Sequence, residues 1–504
     1  MPRVPMKLQP GMSRPGTIYE SKGRWYDGNL VRWSEGVMQP VSGWQNLKTS
    51  APADVNVGNP VRGAHVWRRN LGTPQVALGT ATKLQHFEEG VLTDITPISF
   101  TTGGVDAAQT SGAFGQGAFG VGAFGVGDAS VDTLTEANSW QIDNYGEDLV
   151  AVCYSDKQLL YWDRSVGVGT PAAALTNAPD CLGVVVTPER FIVALGSNIN
   201  GSLDPKNVAW ADQDDPTNWT ASNTTQAGDL DLATEGQIMA GRRTRSETLI
   251  WTDIALYAMR FIGGVYVYTI PEIGKGGAIS RMSMQVVDSK AFWMGPRGFY
   301  IYDGNVRRLS SEVGDFVFNE LNRTQASKVW CEARAQFSEV TWYYPSAGKT
   351  ECDRYVTFNY AMGIWYLGAL ERTGGVDQGV LDYPISSDAA GDIYQHEVGT
   401  SYLDPNDVAL KPYATSGPVE LGQGDNVMTL DDIYPDGATL GDLSFKIWTA
   451  DSPTGAETPN GPYTATEVIS LRLEARQMRI EIEQVNPGWR FGTPRLDLQA
   501  GGMR

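Results

Sequence analysis

The sequence predicts an all-β protein: a β-propeller of about seven repeat units (six to eight are compatible), followed by a C-terminal β-sandwich-like module. Three observations carry this. Glycine (57) and proline (27) are spread along all 504 residues, as expected of a chain with very many turns, whose backbone angles these residues supply. Short runs rich in β-branched and aromatic residues, broken by Gly, Asp, Asn and Pro, read as strands; examples are LVAVCYS (149–155), RFIVALG (190–196), TLIWTD (248–253), VYVYTI (265–270) and GFYIYDG (298–304). Finally, a unit made of an aromatic strand, a turn bearing acid or glycine, and a return strand recurs along most of the chain.

The units are LQHFEEGVLTDI (84–95), LLYWDRSVGV (159–168), NVAWADQDDPTNW (207–219), ALYAMRFIGGVYVY (255–268), FYIYDGNVRRL (299–309), YVTFNYAMGIWYLG (355–368) and DIYQHEVG (392–399). Their centres lie roughly 35 to 55 residues apart, the range of propeller blades. A sandwich stops after about 100 residues, whereas this meander continues, and radial repetition protects strand edges that a long open sheet exposes.

In chain order, residues 1–59 are expected to form an N-terminal strand and hairpin segment packing on the propeller. Residues 20–47 are expected to lie against the C-terminal half, because propellers commonly close by pairing an early strand with the last blade. Residues 60–404 form the propeller. It is interrupted at about 104–128 by a Gly-Phe repeat, GAFGQ, GAFGV, GAFGV, with Phe114, Phe119 and Phe124 in register. So much glycine holds no strand cheaply; the segment reads as a linker or as a loop whose phenylalanines dock on a partner. One helix is expected, over 310–325, with Ser310 or Ser311 as cap and Phe316, Val317 and Leu321 on one face. Residues 405–504 carry the strands of the last module: VMTL (427–430), LSFKIW (443–448), VISLRL (468–473) and MRIEIEQV (478–485).

Composition narrows function. The net charge is −19, with no basic stripe of the kind that grips phosphates. The opening residues lack the apolar core of a signal peptide, and no run approaches 18 apolar residues, so neither export nor membrane insertion is expected. Cys153, Cys181, Cys331 and Cys352 show no CxxC and no regular spacing; they read as buried, reduced thiols.

Candidate chemistry is sparse. His65, His86 and His396 are read as falling in separate repeats, which argues against a metal cluster or a catalytic triad. Gly274-Lys275-Gly276-Gly277 lacks phosphate-loop spacing, and Asp212, Asp214 and Asp215 lack the glycine and glutamate of a calcium loop. Both read as turns. Arg242, Arg243 and Arg245 form the densest basic cluster and are taken as an interface patch pairing with acidic residues of another subunit. No cofactor, metal site or enzymatic activity is expected. Paired carboxylates for glycoside hydrolysis would have to converge in a pocket.

Residues at both ends and in the middle resemble the tail nozzle family of short-tailed bacteriophages, also called packaged-DNA stabilisation or tubular tail proteins. The resemblance rests on Pro10-Gly11, Gly23 to Asp27, Asn29 to Trp33 and Gly43-Trp44 at the start. In the middle it rests on WADQDDPTNW, TDIALYAM, the KGG turn and WMGPRGFYIYDGNVRRL. At the end it rests on GPY (461–463), ARQMRIEI (475–482), Trp489, FGTPRLDL (491–498) and GGMR (501–504). It implies a hexameric ring in the virion tail, assembled in the host cytoplasm, adjoining the adaptor and portal complex and tail fibre or needle proteins. Double-stranded DNA would be retained and then conducted through it without tight binding. The alternatives are another tail component, such as a receptor-binding or tail-spike protein, and a carbohydrate-active propeller enzyme.

Overall fold

A computed structural model describes residues 3–70, 72–101, 108–111, 133–264, 266–403, 408–420, 426–436 and 441–501. The chain is an all-β propeller, with seven blades among the described residues. Blade 1 consists of Val61–Arg68, Pro74–Thr80, Leu84–Glu88 and Val91–Asp94, each strand antiparallel to the next. Blades 2 and 3 begin with Trp140–Tyr145 and Cys181–Val186, blades 4 and 5 with Ile238–Arg243 and Met284–Val287, and blades 6 and 7 with Trp330–Arg334 and Gly374–Val376. These seven first strands are the innermost. Each touches the next around a closed ring, and blade 7 returns to blade 1. Every aromatic repeat unit read from the sequence falls in a different blade.

Aromatic residues are why the units were visible, and packing between blades is what the aromatics do. Trp140 of blade 2 is buried against blade 1 and donates from Nε1 to the Thr80 carbonyl at 2.7 Å. It lies so close to Gly79 that a Cβ there would fall 2.4 Å from its ring, so only glycine admits the indole. Trp251 and Trp293 meet edge to face across blades 4 and 5 at 5.8 Å, a favoured aromatic geometry.

Blade 7 contributes only three strands of its own. Its fourth is Trp44–Asn46, paired antiparallel with Ile393–His396 through Trp44↔His396, Gln45↔Gln395 and Asn46↔Tyr394. The ring is therefore closed by the N-terminal segment, which removes the edge of the last blade.

The rest of the N-terminal segment is divided. Val4–Pro5 joins a four-stranded sheet with Arg495–Ala500, Met428–Tyr434 and Ile469–Ala475. Gln9–Met12 and Arg24–Asn29 join a six-stranded sheet with Tyr413–Ser416, Gln477–Gln484, Leu443–Ala450 and Thr458–Thr464. Val31–Ser34 pairs with Val37–Pro40 as a hairpin against blades 6 and 7. The two sheets thus draw on both ends of the chain rather than on residues 405–504 alone. Their core, including Leu430, Phe445, Ile480 and Leu496, is continuous through Trp25 and Trp33 with Phe299, Trp342 and Trp365 of blades 5 and 6.

The helix is shorter than expected. An α-helix spans Gly314–Glu320 and a 3-10 segment Arg323–Lys328. Val313, not a serine, occupies the N-cap, and no side chain caps it; Ser311 Oγ accepts from the Val313 amide at 3.4 Å. Among the described residues no helix is long and apolar enough to cross a membrane.

Candidate functional site: the axial cavity

Where the seven innermost strands converge they enclose a cavity of about 350 Å³. Its apolar lining includes Trp140, Met282 and Trp330; its polar lining comprises His65, Asp143, Arg242, Arg243, Gln285, Glu332 and Asp377. Six of the seven blades contribute a polar or charged group. Such groups on successive first strands are far apart in sequence, and only the ring brings them together.

Asp143 is already well occupied. Its carboxylate accepts from the Asn144 amide at 2.8 Å and from the Val186 amide of blade 3 at 2.9 Å, and it lies 3.4 Å from the Arg243 guanidinium. Arg243 also donates to Asn144 Oδ1 at 2.8 Å, tying blade 4 to blade 2. Glu332 accepts from Arg334 Nε and Nη2 at 3.1 and 2.7 Å and from the Tyr343 hydroxyl at 3.0 Å. Asp377 is different. Burial, with Glu332 adding to it, pushes its carboxyl up to about 6, where a side chain exchanges protons near neutrality.

Behind Glu332 runs a buried ion network. Arg32, from the N-terminal hairpin, lies 3.0 Å from Glu339 and 2.6 Å from Glu397. Arg334 bridges Glu397, at 2.8 Å, to Glu332. Burial alone would lower the pKa of Arg32, but Glu339 and Glu397 outweigh it and hold the guanidinium charged. Burial opposes ionisation of Glu397 as well; Arg32 and Arg334 prevail and keep it below the usual carboxylate range. The network fixes the position of Glu332 at the cavity wall.

The sequence-designated residues fare as follows. Arg242 and Arg243 line the axial cavity, whereas Arg245 sits exposed on the turn after them. Arg243 and Arg245 are exposed and Arg242 is half-buried. Phe114, Phe119 and Phe124 lie outside the described residues. His65 and His86 both belong to blade 1, which corrects their assignment to separate repeats; they flank Trp67 at ring distances of 5.8 and 6.0 Å. Burial holds both imidazoles below the ordinary value, His86 at about 4. His396 is buried in blade 7 and accepts from Arg372 Nε at 3.0 Å. All four cysteines are buried and free. Among the described residues no group of His, Cys, Asp and Glu is arranged to hold a metal ion. Sequence reasoning missed Asp143, Glu332, Asp377 and the Arg32 network; for Asp143 and Glu332 the only signal was position on an innermost strand, and Asp377 and the Arg32 network had none.

No family model and no curated protein matches the sequence. Among solved structures the chain is similar to an exo-β-1,3-galactanase from Phanerochaete chrysosporium with β-1,3-galactotriose (9% identity, TM-score 0.29, covering 91% of this chain and 99% of that one). It is also similar to the N-terminal domain of Nup159 (11%, 0.27, 78% and 91%) and to a dihydro-heme d1 dehydrogenase (9%, 0.35, 84% and 80%). The expectation that the chain is not an enzyme is corrected by this comparison, which returns glycoside hydrolases, and it is withdrawn. Likeness at this level concerns fold alone and names no substrate.

Proposed function

We propose that this chain is a subunit of the tail nozzle of a short-tailed bacteriophage, a virion component that assembles as a ring beside the adaptor and portal complex and through which packaged DNA passes. One observation carries the reading. The segments that resemble this family sit more than 400 residues apart, yet they pack together. Pro10-Gly11 and Gly23 to Asp27 fall in strands of the same six-stranded sheet as residues 477–484. Trp25 meets Phe491 edge to face at 5.4 Å, and the Phe491 amide donates to the Met38 carbonyl at 2.9 Å. Gly43-Trp44 closes the propeller. The pieces at the two ends of the chain thus lie together in one terminal module and the closure beside it, while the middle pieces lie in blades 3 to 5. Electron-microscopy class averages of the purified chain, alone and with an adaptor–portal complex, test the reading. Six-fold rings are expected; a chain that stays monomeric at every concentration and does not join the complex would overturn it.

A second reading is favoured by one specific feature, the convergence of Asp143, Glu332 and Asp377 on the axial cavity. Two carboxyls in one pocket, one with a raised pKa, are what glycoside hydrolysis uses. In that case Asp377 would act as the proton donor. Release of reducing sugar from bacterial surface polysaccharides or β-1,3-galactan, abolished in Asp377→Asn, would support it. No release from either would count against it.

A further inference from the structure

We propose that the axial cavity is a binding site for a small oxyanion, a carboxylate or phosphate group, held by Arg242. The inference is independent of both readings above, since it concerns binding at one arginine and requires neither ring assembly nor turnover.

Arg242 stands near the end of the innermost strand of blade 4 and lines the cavity. Its guanidinium has one hydrogen bond among the described residues, from Nη1 to the carbonyl of Gly241 next to it at 3.2 Å. It makes no ion pair with any described carboxylate, although every other charged group around the cavity is engaged or able to become neutral. Asp143, the carboxylate that acts on Arg242, spends its charge on Arg243 and two backbone amides. Glu332 is committed to Arg334 and Tyr343. Asp377 gives up its charge on protonation at about pH 6. Cys331 also faces Arg242, but burial pushes its thiol well above the ordinary value, so it remains neutral.

Arg242 is half-buried, and a cation partly drawn out of water without a counterion is unfavourable, because its desolvation is not repaid. Burial accordingly lowers the pKa of Arg242, in contrast to Arg32, whose two glutamates raise it. A planar guanidinium with free N–H groups facing a cavity of this volume is suited to bidentate contact with a carboxylate or phosphate. His65, Gln285 and Asp377 around it offer hydrogen-bonding groups to a hydroxylated body. Of the three sequence-designated arginines, Arg242 alone lacks both a carboxylate partner and full exposure: Arg243 pairs with Asp143, and Arg245 is exposed on the turn.

The test is calorimetric titration of the full chain at about pH 5, where Asp377 is protonated, with inorganic phosphate and with glucuronate. Glucose serves as the neutral control, and sodium chloride is adjusted to constant ionic strength. Saturable binding of at least one anion and none of glucose is expected. Arg242→Gln should weaken the bound anion at least tenfold, while Arg245→Gln binds as the parent chain does. Phosphate binding without glucuronate binding would assign the site to phosphate, and the reverse to carboxylate. Should Arg242→Gln fail to fold, Arg242→Lys keeps the charge but not the fork, and a several-fold loss is then expected. Absence of saturable binding by both anions, or unchanged affinity in a folded Arg242 variant, would overturn the proposal.

Discussion

Two charged residues, Asp377 at the cavity wall and Arg32 behind it, show how differently burial acts on a charge. Asp377 has its carboxyl held at about 6 against an ordinary 3.8, so it binds its proton more tightly folded than unfolded. Its contribution to stability is fully present below about pH 4 and is lost as pH rises through 6. Asp377→Asn removes that dependence. Relative to the parent, the variant is expected to gain roughly 2 kcal/mol between pH 4 and pH 7.5 in urea titrations, the two-unit shift discounted for partial exposure. A variant whose stability tracks the parent at both pH values would refute this. Arg32 poses the opposite case. Replacing it with methionine leaves Glu339 and Glu397 buried beside a single remaining cation, Arg334. Losing one partner of a buried network costs about 3–5 kcal/mol. A fall of that size in unfolding free energy is expected for Arg32→Met, with little change for the exposed control Arg245→Met.

The elements differ in how much of themselves the sequence displays. Seven blades were legible because each carries an aromatic strand followed by a tight turn, and the aromatic residues are large enough to mark an otherwise divergent repeat. The innermost strand of blade 7, Gly374–Val376, displays little, being three residues long with two glycines. Sharing of the terminal sheets between residues 4–29 and 413–500 was invisible too, since pairing between strands at opposite ends of the chain leaves no local periodicity. The cavity residues failed to show for the same reason: each is one polar position on a strand that otherwise reads as core. That Arg242 and Arg243 also line the cavity did not show, because a run of arginines is ordinarily a solvated face. The closing strand Trp44–Asn46 gives the element-scale prediction. Trp44 is buried at 4% exposure, donates to the Leu403 carbonyl at 2.7 Å and packs on His396 and Tyr402. Trp44→Ala should destabilise the protein by roughly 3–5 kcal/mol. Faster protease cleavage within 374–403 than within blade 3 is also expected, because the seam opens first. Equal cleavage of the two regions would show that blade 7 is held by something other than this strand.

At the scale of the whole molecule, one core runs from the terminal sheets through Trp25 and Trp33 into blades 5 and 6, and the chain carries a net charge of −19. The axial cavity does not bear on passage of a duplex: at about 350 Å³ it accommodates a small molecule, whereas the major groove of B-DNA alone is about 12 Å wide. DNA passing a ring of such subunits would therefore run between copies and meet their outer surfaces. Affinity there would hinder movement, since even weak phosphate contacts repeated around a ring multiply through effective concentration. Net negative charge works the other way, repelling the phosphates and centring the duplex. Arg242 and Arg243 line the cavity, and Arg243 is paired there with Asp143, so part of the basic charge is directed at the cavity. The chain is accordingly expected to bind double-stranded DNA negligibly in a filter assay at physiological salt. Lowering salt should yield at most weak retention, without the steep dependence that displacement of several counterions produces. Tight binding with a steep salt slope would mean that basic side chains line the DNA path, and a clamping role would then replace the conduit.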